Sequence, residues 1–242
     1  MKVGIGLPTA IPGVQRTELL AWGERADAAG FSTLGSLDRL VYPNWEPLVT
    51  LGAAAVVTER IGLMTSVLLL PLRQNTALPA KQAATLHVLS AGRVTLGVGL
   101  GSRDDDFSAS RVPMKGRGRR ADEMLAELRR LWAGEEVGDV GDIGPEVSDE
   151  PPKIIVGGSS DTALRRAAEH GDGWMLGGGA PERFTELVEK LTAAWRERGR
   201  EGEPRKLALT YFALGDDPGG TPGARSATTT RPRPATRRRS ST

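Results

Sequence analysis

Apolar residues along the chain fall into two patterns that alternate. Short runs of Val, Leu, Ile and Thr bounded by turn residues read as buried strands. Longer segments with apolar positions three and four apart read as helices. The runs at 61–70 and 93–99 are the clearest strands: both are too short for an ordinary helix and apolar on both faces, as a parallel sheet requires. Between them the pattern predicts a helix over 75–90, with Leu78, Leu86 and Leu89 on one face, Pro79 near its start and Gly92 past its end. Strand, helix, strand is one βαβ crossover.

The same alternation runs through most of the chain. Strands are predicted at 2–7, 31–37, 61–70, 93–99, 153–156, 172–176 and 207–214. Helices are predicted at 16–29, burying Leu19, Trp22, Ala26 and Ala29, and at 46–58, 75–90, 119–132, 161–170 and 181–198. The polar stretch 102–118 reads as a loop, and the Gly- and acid-rich stretch 133–150 as a mobile one. Regular alternation implies an α/β fold with a parallel sheet. Seven strands are countable where a closed (β/α)8 TIM barrel needs eight, so the expected fold is an incomplete barrel. The expected domain is 1–217. Beyond it, 218–242 is an Arg-, Pro- and Thr-rich stretch without large apolar residues, expected to be a disordered tail. So abrupt a change implies a shifted reading frame or a truncated coding sequence; a genuine flexible basic tail is the alternative.

Charge supports this division. The formal charge is +2, but the last 25 residues hold six Arg and no acid, so residues 1–217 carry −4. The body is therefore not expected to bind nucleic acid. There is no Cys, which excludes disulfides and Cys metal sites, and with only His87 and His170 no metal centre is expected. No apolar run approaches about 20 residues, and no signal peptide is recognisable, so a cytoplasmic protein without a membrane partner is expected.

In a parallel barrel, ligands bind at the carboxyl ends of the strands. Asp38, Ser66, Val67, Gly99, Gly101, Gly157–Thr162 and Gly177–Gly179 all fall there. The turn Gly157-Gly158-Ser159-Ser160-Asp161-Thr162 opens a helix. Free N–H groups and hydroxyls at such a start make an anion site suited to a cofactor phosphate. Ordinary capping by Ser159 or Ser160 explains the same residues. Arg39 and Arg103 are either anion ligands or solvated, and Asp104–Asp106 reads as a solvated loop. No catalytic acid or base stands out.

Thr65-Ser66-Val67-Leu68, Pro71, Ser90-Ala91-Gly92-Arg93 and Leu96-Gly97-Val98-Gly99-Leu100-Gly101, in this order, resemble the core of the bacterial luciferase-like monooxygenase superfamily. The resemblance runs from Met1 to about Asp217. It implies a TIM barrel and an oxidoreductase using FMN or coenzyme F420, with F420 slightly favoured by Thr65–Leu68. It implies hydride transfer or oxygen activation at the reduced cofactor, acting on a small organic substrate. It places the cofactor phosphate at Gly157, Gly158, Ser159, Ser160 and Thr162, beside Gly177 and Gly178. It places a non-proline cis peptide at Ser66–Val67 against the cofactor ring, and Asp38 near the cofactor. Arg39 and Ser102 depart from the F420-dependent sugar-phosphate dehydrogenases, which argues against that activity. The partners implied are a separate flavin or F420 reductase and a second copy of the chain in a homodimer. A catalytically silent cofactor-binding paralogue is the competing reading, favoured by the missing strand. A nucleic-acid-associated protein acting through the Arg-rich tail ranks below both, because no aromatic platform accompanies it.

Overall fold

The structure is a computed structural model and describes residues 1–136, 138 and 141–212. The stretch 218–242 lies outside the described residues. Met1–Leu209 forms one unit. In chain order its elements are β1 (Gly4–Gly6), α1 (Arg16–Ala28), β2 (Thr33–Ser36), α2 (Pro47–Val56), β3 (Gly62–Thr65), α3 (Ala77–Leu89), β4 (Val94–Gly99), α4 (Asp104–Ser110), α5 (Arg117–Trp132), β5 (Lys153–Gly157), α6 (Asp161–His170), β6 (Gly173–Gly177), α7 (Pro181–Glu197) and β7 (Arg205–Leu209). The strands pair side by side in chain order, every pair parallel. Among the described residues β1 and β7 are the two ends of the sheet, which curves as a half-barrel of seven strands.

Side chains alternate across the sheet as strand geometry demands. Leu34, Leu63, Leu96, Ile154 and Trp174 point outward into the main core beneath the helices, and all are buried. Met64, Ile155 and Met175 form a second cluster, joined by Val67, Leu207 and Leu209. Both histidines sit in the helical layer, where burial pushes each imidazole below the ordinary histidine value.

Several expectations need correction. The apolar run 61–70 is not one strand. β3 stops at Thr65, Leu68–Leu69 resumes the pairing with β4, and Leu70–Leu72 turns as a 3-10 helix. Met64 pairs with Thr95 and Leu68 with Val98, so three residues, Thr65–Val67, face two, Leu96 and Gly97. That extra residue is a bulge, which re-aims the strand end. The stretch 102–118 is not all loop, since 104–110 forms α4. Its first turn carries three Asp, which complement the helix dipole, Phe107 is buried, and left-handed Arg111 ends it. On α3, Leu78 and Leu89 are exposed; Ala80, Ala83, Ala84 and Leu86 face the core because small residues let the helix approach closely. On α1, Trp22 and Ala29 are exposed. The Trp22 indole N–H reaches back to donate to the Gly6 carbonyl (3.0 Å). The 133–150 stretch contributes Val147 to the core. The last strand begins at Arg205 and ends at Leu209, so it starts two residues earlier and stops five residues earlier than the pattern predicts.

Candidate functional site

The resumed segment after the bulge is the centre around which the candidate residues gather. The Ser66–Val67 peptide is cis, as the resemblance implies. The Ser66 N–H donates to the Ser36 carbonyl (2.7 Å), and Ser66 Oγ lies over Gly35, where an added Cβ would stand 3.0 Å away. Val67 points toward β4 and β5. A Cβ on Gly99 would meet Val67 Cγ2 at 2.5 Å, and one on Gly157 would meet Cγ1 at 3.2 Å. Gly99 and Gly157 therefore make room first for Val67. Gly101, at φ +73, has Phe107 and Leu69 as neighbours at ordinary contact, 3.4 and 3.5 Å from where a Cβ would stand. The structure thus brings Ser66, Val67, Gly99, Gly101 and Gly157 into one contiguous surface at the carboxyl end of the sheet.

Asp38 joins this group through the backbone. Its Oδ2 accepts from the Leu69 N–H (2.8 Å) and forms an ion pair with the Arg73 guanidinium (2.8 Å), and the residue is buried. Arg39 is not solvated. Its Nε donates to Asp106 Oδ2 (2.5 Å), while Asp106 Oδ1 accepts from the N–H groups of Leu40 (3.0 Å) and Val41 (2.8 Å). Asp106 is only 1% exposed, so it clamps the 39–41 loop rather than lying in water. Arg103 is paired with Asp105, whose carboxyl this hydrogen bond holds below the usual range. The solvated-loop expectation for Asp104–Asp106 is therefore corrected at Asp106, and Arg73 is a residue that the sequence pattern did not single out. The signal for Asp106 was Phe107 beside it, the one aromatic residue in a polar stretch.

The Gly157–Thr162 turn is the second part of the site. Gly158 has φ +141, and a Cβ there would stand 2.7 Å from Ala163, so only glycine fits. The buried Trp174 donates its indole N–H to the Gly158 carbonyl (2.6 Å) and stacks on Phe184. Ser160 is the N-cap of α6, its Oγ accepting from the Ala163 N–H. Capping and anion binding are compatible here. The first N–H groups of a helix lack intrahelical partners, so those of Asp161 and Thr162 remain to be satisfied. The Asp161 carboxylate pairs with Lys190 on α7 (3.5 Å), which draws its charge toward that helix. Arg183, at the start of α7, donates to the Ser159 carbonyl (3.4 Å) and pairs with Glu186. Lys190 and then Arg183 hold the Glu186 carboxyl below the usual range. Gly178 and Gly179 between β6 and α7 have positive φ, and Gly177 is exposed. Val67 beneath Gly157 connects this turn to the first group. Among the described residues no cluster of three His, Asp or Glu could hold a metal ion, and no helix is long and apolar enough to cross a membrane.

Known proteins resemble this chain in sequence and in fold. An uncharacterized protein of Mycobacterium tuberculosis is 35% identical over 221 residues, covering 78% of this chain and 76% of that protein. An F420-dependent glucose-6-phosphate dehydrogenase of Beutenbergia cavernae is 35% identical over 189 residues, covering 71% of this chain and 56% of that enzyme. Among solved structures, monooxygenase RslO1 from Streptomyces bottropensis superposes with a TM-score of 0.75 at 25% identity, over 89% of this chain and 73% of that one. The sequence model of luciferase-like monooxygenases matches residues 1–219. The chain belongs to the luciferase-like monooxygenase family, whose members are flavin- or F420-dependent oxidoreductases.

Proposed function

We propose that this chain binds reduced F420 or FMN at the carboxyl end of its sheet and acts as an oxidoreductase on a small organic substrate. The observation that carries this reading is the shared surface of Val67, Gly99 and Gly157, contiguous with the α6 N-terminus. The Asp161 and Thr162 N–H groups, the Ser159 hydroxyl and Arg183 suit a phosphate, and the bulged 65–67 segment offers a firm apolar face to a ring system. The bound cofactor supplies hydride transfer or oxygen activation; the protein supplies orientation and a site screened from water. Use of FMN requires a separate reductase to deliver the reduced flavin. F420 is favoured, because the Thr65–Leu68 pattern leans toward it and because an F420-dependent relative aligns over 71% of the chain. Glucose 6-phosphate is not the substrate proposed: Arg39 is engaged by Asp106 where the sugar-phosphate enzymes are expected to place His. The proposed domain is 1–217, in line with the matched residues 1–219. Placing Glu at both Ser159 and Ser160 is expected to weaken cofactor binding by at least about tenfold, read by titration. Unchanged affinity would remove the phosphate from this turn.

The partner that suits the outer face of α2 and α3 is a second copy of the chain. Val49, Val56, Leu78, Val88 and Leu89 are each more than half exposed there, and α2 contains no charged residue. α2 and α3 are neighbours, and exposed apolar residues gathered on adjacent helices are of the kind that marks an interaction surface. With so little charge to select a different partner, two such faces match each other. Light scattering is expected to give a dimer, and Val49→Lys with Leu89→Lys is expected to halve the mass. A monomeric parent, or a dimer unaffected by the pair, would refute the assignment.

A further inference from the structure

Asp38 lies at the strand end where ligands are expected, yet its geometry is directed at the protein. One oxygen, Oδ2, takes both the Leu69 N–H and the Arg73 guanidinium, each at 2.8 Å. Those two residues flank the single 3-10 turn Leu70–Leu72. The carboxylate therefore holds both ends of that turn against the end of β2. Arg73 also faces the Glu46 carboxylate (3.7 Å), whose other oxygen accepts from the Val49 N–H and caps α2. The held turn begins three residues after Val67, and Leu69 packs against Gly101 and Phe107. We infer that Asp38 is a positioning residue: through Arg73 and Leu69 it sets where Val67 presents itself at the cofactor surface, rather than acting as a ligand.

The energetics support this assignment. The Asp38 side chain is 2% exposed and that of Arg73 is 16% exposed. Removing such a pair from water costs about as much as the mutual attraction returns, so an apolar pair of the same volume would serve stability equally well. A carboxylate does what an apolar side chain cannot: it accepts a backbone N–H and pairs with a guanidinium through the same oxygen. That fixes the segment just past the bulge, where Leu68 and Leu69 resume their pairing with β4.

The inference rests on the proposed cofactor site, and a double-mutant cycle separates the two. Asp38→Asn, Arg73→Met and the double variant are made in the full chain, with Arg73→Lys as a milder change that preserves the fold. F420 and FMN dissociation constants, the absorption spectrum of the bound cofactor and the urea midpoint are read for each. Each single change is expected to weaken binding about tenfold and to shift the bound spectrum. The double is expected to be no weaker than about threefold beyond the worse single, because both remove one interaction. Arg73→Lys should restore part of the loss. The inference is overturned if Asp38→Asn acts and Arg73→Met does not, as for a direct ligand. It is also overturned if the two losses multiply, or if only the urea midpoint moves. If the parent chain binds neither cofactor, the proposed function itself fails and takes this role with it.

Discussion

Gly97→Ala is expected to destabilise the fold by about 3 kcal/mol or more, the upper range for overpacking a core. A Cβ on Gly97 would stand 2.0 Å from the Thr65 carbonyl oxygen and 2.9 Å from the end of the Met64 side chain. The nearer atom is backbone and cannot rotate away. Gly97 lies opposite the bulge, where the Thr65 hydroxyl also donates to the Gly97 carbonyl (2.6 Å). β3 and β4 would have to part at the point that seats Val67, so cofactor affinity should fall together with stability. Gly52→Ala is the control. It lies within α2 with nothing within 4 Å of its added Cβ, so helix propensity should make it neutral or stabilising by up to about 1 kcal/mol. Urea denaturation of both variants checks the pair. A Gly97→Ala protein within about 0.5 kcal/mol of the parent would contradict the bulge geometry.

Asp106→Ala is expected to cost about 3–5 kcal/mol, the range for removing one member of a buried ion pair. It leaves the Arg39 guanidinium, 16% exposed, with only the more distant Asp105 carboxylate (3.6 Å), and it frees the Leu40 and Val41 N–H groups. Asp106→Asn should cost less, since an amide oxygen still accepts the two N–H groups. Hydrogen exchange reads the local effect, because the Leu40 and Val41 amides should lose protection before the strands do. An alanine variant with parental stability and unchanged protection at these two amides would show that α4 does not hold the 39–41 loop.

What could be read from the pattern depended on how far each feature was local. Strand and helix alternation carried the parallel sheet and the order of its strands, since each element announces itself by period and punctuation. Gly157–Thr162 was legible as a helix start for the same reason, and the resemblance alone pointed to Ser66–Val67. The break in 61–70 was not legible, because Thr65-Ser66-Val67 is as suited to a strand as its neighbours; the bulge appears only when the partner strand is counted. What surrounds Gly99 and Gly157 was not legible either: the nearest atoms at both belong to Val67, which is far from them in sequence. Asp106 and Arg73 were missed because their partners, Arg39 and Asp38, lie 67 and 35 positions away, and no local rule links them. The faces of α1 and α3 were misjudged because size stood in for burial: Leu78, Leu89 and Trp22 are large and exposed, while the alanines of α3 pack on the sheet.

The central claim is that this chain's strand ends hold a flavin-type cofactor, and retention of that cofactor tests it most directly. The purified chain is mixed with F420 or with FMN, passed through ultrafiltration and washed, and the retained absorption spectrum is recorded. The account predicts that one of the two, F420 by preference, stays bound near one equivalent per chain with a shifted spectrum, and that Gly97→Ala releases it. A folded parent chain that retains neither cofactor would contradict it.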